Sequence, residues 1–144
     1  MEHLVSHPNV KTAAVTDHDT VQGLDIVRKL AKPYPDILII PGVEIATNKG
    51  DIVVLGTEEL PTKPWTVESI VDFAKETACV SIAVHPFREW GLGEVAGTSG
   101  VDAIEVTDAE RARQRPPAGL IQAAARLGRR SHSSLRWVAI SMVS

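Results

Sequence analysis

Three short apolar runs in this chain each end in residues that carry chemistry, and that repeated juxtaposition limits the possible folds more than any other feature. Residues 10–15 lead into Thr16-Asp17-His18-Asp19, residues 37–40 into Pro41-Gly42-Val43-Glu44, and residues 80–84 into His85-Pro86. Apolar runs of this size, bounded by turn formers, read as buried strands. Between them lie segments with helical spacing. One covers residues 21–31, with Asp19-Thr20 as its expected cap; another covers 68–78 after Thr66, with Val67, Ile70, Val71, Phe73 and Ala74 on one face. Strands are predicted at 12–15, 37–40, 52–55, 80–84 and 103–106, the third following the Asn48-Lys49-Gly50 turn. Pro116 and Pro117 can open a further helix to about residue 127, and residues 137–143 read as a last strand.

Strands alternating with helices point to an α/β fold with a mainly parallel sheet and helices outside it. In such folds ligands bind beyond the carboxyl ends of the strands. Asp17, His18, Glu44 and His85 all fall at expected strand exits, so they are expected to converge on one rim. A chain of 144 residues, 44% hydrophobic, supports one core, and residues 1–144 read as a single domain. No apolar run approaches the roughly 18 residues of a membrane helix, and the opening residues lack a basic region followed by an apolar stretch. The single cysteine, Cys79, excludes an intramolecular disulfide and fits a reducing compartment. A soluble, cytoplasmic protein with no membrane partner is the expectation.

The net charge of −3 is unevenly distributed. After residue 109 the only acid is Glu110, set against Arg111, Arg113, Arg115, Arg126, Arg129, Arg130 and Arg136, and no lysine follows Lys75. An arginine-rich segment without a recognised module is weak support for nucleic-acid binding, which is not expected here.

Four segments taken in order carry a more specific signal. Thr16-Asp17-His18-Asp19-Thr20 with Gly23, Pro41-Gly42-Val43-Glu44-Ile45, His85-Pro86-Phe87-Arg88, and Asp102-Ala103-Ile104-Glu105-Val106 together resemble the motif series of the PHP (polymerase and histidinol phosphatase) family over about residues 10–108. The resemblance implies a distorted TIM-like barrel whose strand ends hold divalent metal ions, zinc, manganese or iron, and which hydrolyses phosphate esters. Carried onto this sequence, it implies His18, Glu44 and His85 as metal ligands. Asp51 stands where many relatives place a further histidine ligand, Asp17 is expected either as a ligand or, in preference, as the residue that orients His18, and Arg88 is expected to clamp a phosphate. Histidine and carboxylate donors suit those metals, and adjacent ions can activate water without any nucleophilic side chain.

The sequence departs from the family at both ends. The opening Asp-x-His-x-His and the closing Asp-x-His have no match: His3 and His7 are four apart rather than two, and Ser131-His132-Ser133 lacks the aspartate. Residues 109–144 read as a divergent tail. The expected fold is therefore an incomplete TIM-like barrel, with possible homo-oligomerisation through an unpaired edge. The expected function is metal-dependent hydrolysis of a small phosphate ester or nucleotide; the alternative is an inactive remnant that acts as a binding module.

Overall fold

The computed structural model describes residues 11–105. Among them the apolar runs form strands β1 (Thr12–Val15), β2 (Leu38–Ala46), β3 (Asp51–Leu55), β4 (Val80–Ala83) and β5 (Ala103–Ile104), with helices α1 (Gly23–Ala31) and α2 (Val67–Glu76) and a 3-10 turn at Gly93–Gly97. The strands lie side by side in chain order in one sheet. The pairs β1–β2 and β4–β5 are parallel, whereas β2–β3 and β3–β4 are antiparallel. The sheet is thus mixed, not mainly parallel, and the described residues do not form a TIM-like barrel. The cause is visible at residues 47–50, the only residues between β2 and β3. A parallel return needs a crossover of roughly a dozen residues or more, so this link can only make a hairpin. The Thr47 amide and hydroxyl both donate to the Gly50 carbonyl, and Gly50 takes a φ of 145°, which suits glycine alone.

Strand β2 runs past its expected end because it changes partners within its length. Leu38 to Pro41 pair with β1, and Gly42 to Ala46 pair with β3. Pro41 has no amide to donate, but its carbonyl accepts from Gly56 at 2.8 Å. Glu44 consequently lies within the strand rather than beyond it. Alternation then divides the side chains. Val43, Ile45, Ile52 and Val54 join Ile70, Val71 and Ala74 of α2 in the larger apolar cluster. Glu44 belongs to the opposite face, as do its cross-strand neighbour Val53 and the buried Ile82 and Val84. Ile45, Ile52 and Ile70 are completely buried, each contributing roughly 1.5 to 3 kcal/mol.

Helix α2 is fixed at its start by a reciprocal cap: the Ser69 amide donates to the Thr66 hydroxyl, and the Thr66 amide to the Ser69 hydroxyl. Helix α1 begins two residues later than expected and has no side-chain cap. The reason is that Asp19, the expected cap, turns its carboxylate to the Ala46 amide instead. No helix among the described residues is long and apolar enough to cross a membrane. Val106, the helix expected at 116–127, the strand expected at 137–143, and His3, His7 and His132 lie outside the described residues.

Candidate functional site

The site is assembled where β1, β2, β3 and β4 deliver polar residues to one side of the sheet. Beyond Val15 the chain stays beside β2, making a single parallel bridge between His18 and Glu44. The Glu44 amide donates to the Asp17 carbonyl at 3.1 Å, and the Asp19 amide donates to the Glu44 carbonyl at 2.7 Å. His18 is thereby held next to Glu44. The hairpin places Asp51 opposite Ala46, so the first residue of β3 returns to the end of β2. His85 follows β4, and the loop behind it is tied to the same edge: the Asp51 amide donates to the Trp90 carbonyl at 2.7 Å.

His18, Glu44 and Asp51 each offer a ligand atom, all within 4.8 Å of one another. His85 Nε2 joins them at 3.2 Å from Glu44 Oε1 and 3.6 Å from Asp51 Oδ2, and His18 Nε2 lies 3.8 Å from Asp51 Oδ2. Two imidazoles and two carboxylates, separated by up to 67 residues along the chain (85 minus 18), therefore converge. The side chains of Glu44 and Asp51 are only 11% and 9% exposed, while that of His18 is 53% exposed, which makes a half-sheltered site with one open side.

The electrostatics follow from packing two carboxylates together out of water. Burial pushes the Asp51 carboxyl above its ordinary range, and the Glu44 charge adds to the effect against the opposing pull of His85 and His18. The His85 imidazole is also raised, chiefly by its hydrogen bond to Glu44 and against its own burial; the charges of Glu44, Asp51 and Glu105 act in the same direction. Among the described residues, His85 Nδ1 is buried without a hydrogen-bond partner, so the ring meets the site through Nε2. A nitrogen-and-oxygen donor set with excess negative charge fits a divalent cation.

The remaining expected residues are placed differently. The Asp17 carboxylate packs against the start of α1, so closely that a Cβ on Gly23 would lie 1.9 Å from its Oδ2. The carboxylate beside His18 is that of Asp19, with Oδ2 3.3 Å from Nδ1. Asp19 is held in a left-handed conformation (φ 57°) while its other oxygen accepts from the Ala46 amide at 2.9 Å. A carboxylate on Nδ1 favours the proton there and leaves Nε2 as the donor atom facing Asp51. The sequence offered a signal for this, since aspartate tolerates φ > 0 better than most residues, but adjacency alone did not separate Asp17 from Asp19. Arg88 lies in the loop after β4, is exposed, and donates its amide to the His85 carbonyl at 2.9 Å.

No family model matches the chain. An uncharacterized protein of Methanocaldococcus jannaschii is 30% identical over 102 residues, an alignment covering 69% of this chain and 59% of that protein. The chain thus spans less than two thirds of this curated relative. Among solved structures, a protein of Bifidobacterium adolescentis, named for an inferred metal-dependent phosphoesterase activity, has a similar fold. The match has a TM-score of 0.60 and covers 84% of this chain and 74% of that one, at 12% identity. At that identity the likeness is one of fold.

Proposed function

We propose that this chain is a metal-dependent phosphoesterase of the PHP type, acting on a small phosphate ester or a nucleotide. The observation that carries this reading is the convergence of His18, Glu44 and Asp51, whose ligand atoms lie within 4.8 Å of one another, with His85 Nε2 3.2 Å from Glu44 Oε1 and 3.6 Å from Asp51 Oδ2. The fold it shares with a protein named as a metal-dependent phosphoesterase supports the reaction class.

In this reading Glu44 and Asp51 supply anionic oxygens and His18 and His85 supply Nε2 to a divalent ion. Such an ion, when bound, polarises a phosphoryl oxygen and makes a coordinated water acidic enough to lose a proton near neutral pH. The protein's own contribution is to hold the donors in place and to manage protons. Without a metal, His85 Nε2 lies 3.2 Å from Glu44 Oε1, and any proton on that nitrogen must leave before it can act as a ligand. Asp19 holds the His18 ring by Nδ1. Arg88, three residues beyond His85, is assigned to the phosphate oxygens, which a planar guanidinium matches.

The test is hydrolysis of a panel of phosphomonoesters and phosphodiesters by the purified chain with added Mn²⁺ or Zn²⁺, beside a His85→Ala control. Turnover that is abolished by chelator and by the substitution is expected. Turnover indifferent to both would overturn the reading.

A further inference from the structure

A non-glycine residue with positive φ is uncommon, and His85 has a φ of 31° at the point where β4 ends. A side chain held there is strained relative to an ordinary conformation, so surrounding contacts must impose it. Its peptide groups are held from both sides. The His85 carbonyl accepts the Arg88 amide, and the backbone of Gly91 lies so close that a Cβ there would come within 2.2 Å of that oxygen. The His85 amide donates to Glu105 Oε2 at 2.6 Å.

Glu105 stands just past β5, and its position follows from the sheet. Ala83 pairs with Ile104, and the Glu105 amide donates to the Ala83 carbonyl at 2.9 Å, extending the parallel ladder by one residue. Glu105 is only 8% exposed. A carboxylate taken out of water needs strong partners, and a short charge-assisted bond to a backbone amide is one of them. That bond fixes the peptide plane from which the imidazole projects.

We propose that Glu105 is a positioning residue for the candidate metal centre: its buried carboxylate holds the His85 amide and so keeps the ring turned with Nε2 toward Glu44 and Asp51. The proposal rests on the metal-binding reading above. It assigns Glu105 a role through His85 rather than as a ligand, since its Oε2 is committed to the amide. Glutamine at this position keeps a side-chain carbonyl that can accept the same bond; alanine keeps none.

The experiment compares the full chain with Glu105→Gln and Glu105→Ala, reading Mn²⁺ and Zn²⁺ affinity by competition with a chromophoric chelator and the His85 amide in ¹H–¹⁵N spectra of the metal-free proteins. Expected is a loss of about 10- to 100-fold in affinity for Glu105→Ala, the range typical of removing a group that orients a ligand, together with an upfield move of the His85 amide proton. Glu105→Gln should stay within about threefold of the original, as an isosteric acceptor would. Unchanged affinity in Glu105→Ala would overturn the proposal, and so would a folded Glu105→Gln as weak as alanine, which would make the charge and not the acceptor decisive. If Glu105→Ala does not fold, Glu105→Leu, which keeps the side-chain bulk and removes the acceptor, takes its place under the same two readouts. An original chain that binds neither ion overturns the metal reading itself, whereas equal binding by original and alanine chains overturns only the role of Glu105.

Discussion

Replacing Asp51 by asparagine should move stability and metal affinity in opposite directions. The Asp51 and Glu44 ligand oxygens lie within 4.8 Å, and both side chains are about one-tenth exposed. At that separation two unit charges repel by about 3.5 kcal/mol for an effective dielectric constant of 20. Part of this is offset when His85 is protonated, since its Nε2 is 3.2 Å from one carboxylate and 3.6 Å from the other. A net relief of about 1 kcal/mol on neutralising Asp51 is reasonable, and for a domain of this size that corresponds to a rise in Tm of about 3 to 5 °C. The sign agrees with the raised Asp51 carboxyl, whose ionised form is the unfavourable one in the folded chain. The same substitution removes an anionic ligand and should weaken Mn²⁺ or Zn²⁺ binding by at least about 10-fold. Thermal unfolding in chelator, beside a metal titration at the same pH, tests both. A variant that is less stable without metal and binds metal as before would refute the placement of Asp51 in a shared anionic site.

Two further outcomes follow from the same geometry. His85 is raised above its ordinary value, so its stabilising contribution is complete below about pH 6.5 and is lost as pH rises through the folded value; the Tm of metal-free protein should therefore fall above pH 6.5, and His85→Ala should flatten that slope in a pH series of melting curves. Gly50→Ala places a Cβ 2.7 Å from the Gly91 carbonyl carbon at a φ of 145°, so it should cost about 2 to 4 kcal/mol in urea unfolding and loosen the loop that follows His85; a cost below about 0.5 kcal/mol would show that the close approach is not maintained.

Much of this protein could be read from local sequence. The strands at 12–15, 52–55 and 80–84 and the α2 helix came from apolar spacing, because side-chain period records which face meets the core. The residues of interest were legible too, since His18, Glu44 and His85 each follow or end an apolar run. What local sequence could not determine was direction and partnership. The sheet is mixed because a four-residue link at 47–50 forces a hairpin, and that reversal brings Asp51 back to the rim beside Ala46. Glu44 lies within β2 because the strand exchanges partners at Pro41–Gly42, which depends on where β1 and β3 end. The choice between Asp17 and Asp19 as the neighbour of His18 depended on the Ala46 amide, a group 27 residues away from Asp19 that competes for its carboxylate. Glu105 gained its contact with His85 only when β5 paired with β4. Residue type and spacing determine which groups are available and on which face they lie; long-range backbone pairing determines which of them share a common point, because hydrogen-bond registry is set between strands and not within them.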